Sequence, residues 1–331
     1  MASHDILVVG GGSIGERHLR CFLRLGNVRA SLCDVSPAIR ERLQRDYDVA
    51  ATFDDYEAVD LSAYDVVVMC TPAHLHIPMA RRAVEAGCNV LCEKPLSTSL
   101  DGADDLAEAI ERKGVVFSVA YVMRAMPPMI ELKQRIDAGE IGQVMTVVAS
   151  SGQHFPTYRP AYREIYYTRH ATGGGALQDA VTHVLNFVLW CMGPAASVCC
   201  EADHLVLPGV EVEDAASLIL RFRNGPAIGT ITLNQFQTNN DGRTEFAGTA
   251  GTLRVETPDW RLGVCKDEQW TWSGPRTFER DDFFVAQAQA FLEAVEGRAA
   301  PACTLSEAAD TLRTTLAALQ SAEQGRRIAV T

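Results

Sequence analysis

Gly10-x-Gly12-x-x-Gly15 lies between an apolar, β-branched run, Ile6 to Val9, and an amphipathic stretch that reads as a helix, Glu16 to Leu25. A strand, a glycine turn and a helix in that order constrain a chain to an open α/β arrangement. The turn must be tight and the helix must pack closely on the strand. The helix N-terminus then offers free N–H groups and a favourable dipole to an anion. The same rhythm continues for about 120 residues. Ala30 to Asp34, Val66 to Cys70, Val90 to Glu93 and Val115 to Val119 read as strands, with Ile39 to Asp46, Ile77 to Ala86 and Leu100 to Lys113 as helices between them. Strands alternating with helices pair in parallel, and the unbroken apolar character of these runs fits a sheet covered on both faces. Ser36-Pro37 supplies an N-cap followed by a proline in the first helical position.

In this setting Gly10, Gly12, Ser13, Ile14 and Gly15 are assigned to a dinucleotide pyrophosphate. Asp34 closes the next strand, placed to accept hydrogen bonds from the adenosine ribose hydroxyls. Its charge repels the 2′-phosphate of NADP, so NAD is the expected cofactor. A second role for Asp34, capping the helix that begins near Ser36, stays open.

Length and charge bound the rest. At 331 residues the chain exceeds the size at which one core usually stops growing, so two domains are expected. A formal charge of -12 is poorly suited to a nucleic acid, which needs clustered Lys and Arg to neutralise phosphates. No apolar stretch approaches the roughly 18 residues that span a bilayer, and nothing near Met1 reads as a leader. A cytoplasmic protein with a small-molecule ligand is expected. The ten cysteines are scattered, without a Cys-x-x-Cys pair. Cys88 and Cys92 come nearest to ligand spacing, but the second falls inside a strand, so no metal is expected.

After Ala120 the rhythm changes. A helix from Pro127 to Ala138 and a strand from Val144 to Ala149 precede an irregular segment, 152–172, and a helix from Ala176 to Cys191. Strand-like runs follow at Ser217 to Phe222, Ala227 to Phe236, Glu245 to Ala247 and Leu253 to Glu256, a succession that implies antiparallel pairing. Helices from Asp282 to Glu296 and Leu305 to Gly325 finish the chain. The domains are drawn as 1–121 for cofactor and 122–331 for substrate and association.

Thr71-Pro72-Ala73-His74-Leu75-His76 and Glu93-Lys94-Pro95 stand at the ends of the next two strands. Farther on come Arg124 and Pro127, Gly139-Glu140-Ile141-Gly142, and Gly173-Gly174-Gly175-Ala176-Leu177-Gln178-Asp179-Ala180-Val181-Thr182-His183. With the glycine loop, these resemble the Gfo/Idh/MocA oxidoreductase family across essentially the whole chain. The resemblance implies an α/β fold: an N-terminal Rossmann domain with a parallel sheet, then an α/β domain on a large, mainly antiparallel sheet. It also implies an active site between them, hydride chemistry on sugars and cyclitols, and a homodimer or homotetramer. It places Thr71, Pro72, His76, Glu93 and Lys94 near the cofactor and suggests a cis Lys94-Pro95 bond. Ala73 departs from the Asn or Asp common at its position, and Val181 from a common glycine.

The residues themselves point the same way, since ligands of open α/β sheets bind beyond the carboxyl ends of the strands. Lys94 is suited to orient a substrate hydroxyl or help move its proton. A structural ion pair with Glu93 is the competing reading. Asp179 and His183, four apart on a helix, project from one face. His183 can take the hydroxyl proton as hydride leaves carbon, and Asp179 can hold a second hydroxyl. Tyr121, Arg159, Arg163 and Tyr166 complete the substrate candidates. The last three belong to segment 153–170, where four tyrosines and three arginines fit either a cover over a polyol or a subunit contact. The chain therefore reads as an NAD(H)-dependent dehydrogenase of a sugar, cyclitol or sugar acid. The alternatives are a reductase of an imine or tetrapyrrole and a nucleotide-binding sensor without turnover.

Overall fold

The computed structural model describes residues 3–164 and 166–331. They form two compact units, one of residues 1–125 and 279–308, the other of 126–278 and 309–331. The return of 279–308 to the first unit is a feature that a single boundary at 121 does not anticipate.

The first unit is built on six parallel strands in the order β3-β2-β1-β4-β5-β6. They are β1 (His4–Val9), β2 (Val28–Cys33), β3 (Val49–Phe53), β4 (Val66–Met69), β5 (Asn89–Cys92) and β6 (Phe117–Val119). Between them run α1 (Ser13–Leu23), α2 (Pro37–Asp46), α3 (His76–Glu85) and α4 (Ala103–Lys113). The strand β3 was not anticipated, because Val-Ala-Ala-Thr-Phe is short, only partly buried and weakly β-branched. Ser36 caps α2 as expected, its Oγ accepting from the Ile39 N–H. The core gathers Ile6, Val8, Leu19 and Phe22 with Ala288, Phe291 and Leu292 from the returning segment. Each of the Ile, Val, Leu and Phe side chains among them contributes about 1.5–3 kcal/mol by leaving water.

The second unit begins with α5 (Pro127–Asp137) and β7 (Val144–His154), then a short helix, α6 (Phe155–Tyr158). A π-helical turn, Leu177–Val181, leads into α7 (Thr182–Met192). The strands are β8 (Ala195–Asp203), β9 (Ala215–Phe222), β10 (Ile228–Asn234), β11 (Phe236–Gly248), β12 (Gly251–Thr257), β13 (Arg261–Lys266) and β14 (Gln269–Trp272). After α8 (Arg280–Val295), which belongs to the first unit, α9 (Leu305–Gln324) and β15 (Ile328–Ala329) close the chain. The nine strands run β14-β13-β12-β11-β7-β10-β9-β8-β15, antiparallel except for β7 beside β10. One face is buried: β9 hides Ala216, Leu218, Leu220 and Phe222 and turns Ile219 outward. Strands β8, β13 and β14 are not predicted by the sequence pattern, since polar residues and tryptophans there blur the alternation. Among the described residues no helix is long and apolar enough to cross a membrane.

Candidate active site

The glycine loop follows from sterics. Gly10 has φ +92°, and a Cβ there would sit 2.6 Å from the Cys70 carbonyl oxygen. A Cβ on Gly15 would lie 1.7 Å from the Gly10 carbonyl oxygen, so α1 can approach the turn only with glycine there. Gly12 differs, because its Cβ would meet no atom within 4 Å. It is the N-cap of α1, no side chain caps that end, and Glu16 N–H bonds back to the Gly12 carbonyl. Ser13 and Ile14 are the first residues of the helix. The turn is thus tight where protein meets protein and open where a pyrophosphate would approach.

Asp34 follows β2. Its Oδ2 accepts from Gly11 N–H at 2.6 Å and its Oδ1 from Ser36 N–H at 2.8 Å. The carboxylate braces the glycine loop from the side, and the helix cap itself is Ser36. Beyond β4, the Thr71 Oγ1 is buried and has no hydrogen-bond partner among the described residues, and Pro72 is exposed. The open side of Gly12 and this orphaned hydroxyl both fit a dinucleotide.

His76 stands differently from a residue bordering the nicotinamide. It is 1% exposed, with Nε2 2.7 Å from the Thr71 carbonyl oxygen and Nδ1 2.9 Å from that of Pro95. Burial pushes its pKa down, against the pull of those two carbonyls. The imidazole ties the β4 and β5 loops together. His74 is exposed.

Glu93 is buried after β5, and its Oε2 accepts from the Lys94 backbone N–H at 3.0 Å. Its Oε1 lies 2.7 Å from Nε2 of His18, fully buried on α1 with its ring edge on Phe284. His18, three positions after Gly15, carries no sequence signal that sets it apart from an ordinary helix residue. The Lys94-Pro95 bond is cis, and the Lys94 side chain is half-buried. Tyr121, expected to touch substrate, is 1% exposed and belongs to the core of the first unit. Arg124 donates to the Ala302 carbonyl and to Glu307, tying down the returning segment.

In the second unit, Asp179 lies within the π-helical turn and His183 one residue after α7 begins. The α-helical periodicity used to align them is therefore replaced by a widened turn, of a kind that recurs at functional sites. From Gly173 to Leu189 only Asp179, His183 and Val184 escape full burial. Val181, where a glycine is common, is fully buried. Tyr166 donates from Oη to Asp179 Oδ1 at 2.7 Å.

The tyrosine-rich segment divides. Tyr162 and Tyr167 are buried against Phe155, Leu207, Val210 and Val212, so they form a small core and not a sugar platform. Tyr158 and Tyr166 remain exposed. Arg163 donates to the Pro208 carbonyl at 2.9 Å and lies over the Tyr162 ring, which accounts for it as a loop brace. Arg159 is half-exposed. Among the described residues no group of His, Cys, Asp and Glu could hold a metal, and burial raises the thiols of Cys33 and Cys88 to about 11.

A parallel sheet ordered 3-2-1-4-5-6, with a glycine loop open at Gly12 and an acid after β2, defines a dinucleotide-binding Rossmann fold. The chain belongs to the Gfo/Idh/MocA oxidoreductase family: residues 4–121 match the family's NAD-binding Rossmann fold and 129–254 its C-terminal domain. It is 25% identical over 287 residues to levoglucosan dehydrogenase of Pseudarthrobacter phenanthrenivorans, covering 76% of this chain and 73% of that one. With myo-inositol 2-dehydrogenase of Thermotoga maritima it shares 25% identity over 333 residues, 97% of each chain. A structure of levoglucosan dehydrogenase with NADH and levoglucosan matches its fold with a TM-score of 0.89, at 20% identity over 99% of both chains.

Proposed function

We propose that this oxidoreductase moves hydride between NAD(H) and a secondary alcohol carbon of a sugar, cyclitol or sugar acid. The observation that carries the reading is the opening of α7. In an otherwise buried stretch the polar groups left accessible are Asp179 and His183, the former hydrogen-bonded by Tyr166. That pair suits a polyol: one group takes a hydroxyl proton and the other grips a neighbouring hydroxyl.

In the oxidative direction His183 accepts the hydroxyl proton of the reacting carbon as its C–H bond breaks and a C=O bond forms. Gly10, Gly12, Ser13, Ile14, Gly15 and Asp34 would hold NAD+, which would supply the hydride acceptor. Lys94 orients the reacting oxygen, its backbone fixed by Glu93. Asp179 and Tyr166 hold an adjacent hydroxyl, and Arg159 faces an anionic substituent where the substrate has one. The names of the two dehydrogenase relatives, which specify levoglucosan and myo-inositol, support a cyclic polyol as substrate class. Self-association into a homodimer or homotetramer belongs to the same proposal, supported by Ile219 and Ile228, both exposed on the shared outward face of β9 and β10.

The test is an NADH fluorescence titration followed by a turnover panel with NAD+ and levoglucosan, myo-inositol, scyllo-inositol, glucosides and sugar acids. Binding of NADH and reduction of NAD+ by at least one panel member are expected. Tight binding with no turnover of any compound would favour a sensor and remove the dehydrogenase reading.

A further inference from the structure

The proposed chemistry depends on the π-helical turn that presents Asp179, and one buried side chain outside that turn contacts its N-terminal end repeatedly. Glu213 is 7% exposed. Its Oε1 accepts from the Leu177 N–H at 2.8 Å, its main-chain oxygen from the Ala176 N–H at 2.9 Å, and its Oε2 lies 2.5 Å from His170 Nε2. Two backbone donors at the start of the turn, which have no partner within a helix, are thereby satisfied by one residue. The carboxylate occupies the space beside Gly175: a Cβ there would lie 2.6 Å from both Glu213 oxygens.

The same residue controls the approach to the turn. His170 accepts from the Gln178 amide through its carbonyl oxygen, and Thr172 bonds through its hydroxyl to the carbonyl of Tyr166. The chain from Tyr166 to Asp179 is thus a closed latch, fastened on one side by the Tyr166–Asp179 bond and on the other by Glu213. Its neighbour Asp214, fully buried, accepts from the N–H groups of Leu205, Val206 and Leu207 and fixes the backbone from which Glu213 reaches.

We infer that Glu213 is a positioning residue for the reaction, setting Asp179 and Tyr166 through the N-terminus of the π-helical turn and through His170. The inference rests on the assignment of Asp179 above. A displacement of about 1 Å at a group that orients substrate costs roughly 10²-fold in rate, which sets the scale of the effect.

Three variants of the full chain test it, assayed on a turned-over panel substrate beside Asp179→Asn. Glu213→Leu is expected to lower kcat about 10- to 100-fold while the NADH dissociation constant stays within about two-fold. Glu213→Gln keeps an oxygen acceptor for Leu177 N–H and is expected to retain most of kcat. His170→Ala, at a half-exposed site, is expected to lose about three- to ten-fold with an unchanged melting temperature. Should Glu213→Leu fail to fold, His170→Ala and Glu213→Gln carry the test, and wild-type kcat in both overturns it. Equal losses in Glu213→Leu and Glu213→Gln, or a parallel loss of NADH affinity, also overturn it. Full activity in Asp179→Asn instead brings down the assignment of Asp179, which separates the two failures.

Discussion

The phenol of Tyr166 donates to Oδ1 of Asp179 at 2.7 Å, across the loop that precedes the π-helical turn. A hydroxyl so placed fixes the carboxylate's orientation and lowers its freedom to rotate away from a ligand. Tyr166→Phe is expected to raise KM for the substrate and lower kcat/KM by about ten-fold, the cost of one hydrogen bond to a charged group. Steady-state kinetics beside an unchanged NADH titration checks it, and an unchanged kcat/KM would make the contact incidental.

Gly12 and Gly15 separate cofactor binding from folding. Gly12→Ala adds a methyl group into open space and should cost at most about 1 kcal/mol of stability, as a weaker N-cap. Gly15→Ala drives a methyl into the Gly10 carbonyl. NADH titration and thermal melting should therefore part: Gly12→Ala loses affinity and keeps its fold, whereas Gly15→Ala loses both. Wild-type affinity in Gly12→Ala would move the pyrophosphate elsewhere.

Asp34 holds the Gly11 N–H through one oxygen, and Arg40 donates to its main-chain oxygen at 2.6 Å. Removing the carboxylate takes away both the loop brace and the charge that opposes a 2′-phosphate, with a guanidinium left nearby. Asp34→Ala is expected to weaken NAD binding about ten-fold and to narrow the preference for NAD over NADP. Parallel titrations with NADH and NADPH measure the ratio; an unaltered ratio would leave Asp34 as a brace alone.

Acid stability has a specific origin in the first unit. Asp281 takes Arg20 in two hydrogen bonds, at 2.6 and 2.8 Å, and Arg17 in a third at 3.0 Å. Arg20 first, then Arg17, hold its pKa down from 3.8 to about 2. A depressed carboxyl stabilises the fold above its ordinary pKa and loses that contribution as pH falls through the folded value. Between roughly pH 4 and pH 2 the wild type should lose melting temperature faster than Asp281→Asn. At neutral pH the variant should be less stable by about 1–2 kcal/mol. Parallel pH profiles would contradict the assignment.

How much of this was legible in the sequence depends on how local the cause is. Gly10, Gly12, Gly15 and the strands around them announce themselves because turn, strand and helix are dictated by near neighbours. The cap at Ser36 and the helix ends are equally local. Tyr162, Tyr167 and Tyr121 misled, because an aromatic with a polar tip reads the same in a core as in a binding site, and only the fold decides which. The π-helical turn carried no signal in the α-helical period of 176–191. His18 and Glu213 act through partners 75 and 36 positions distant. Glu213 stands in an acidic stretch, Glu211-Val212-Glu213-Asp214, with no motif or spacing that sets it apart.

The return of 279–308 to the first unit bears on how the protein comes into being. Leu19 and Phe22 leave the ribosome early, while Ala288, Phe291 and Leu292, which share their core, emerge only after the second unit's strands have been made. At ordinary elongation rates that delay is on the order of ten seconds or more. For that interval the part of the first unit's core that Ala288, Phe291 and Leu292 cover is left open, the kind of transiently exposed apolar surface that favours aggregation. A fragment ended at residue 121 would keep that surface for good.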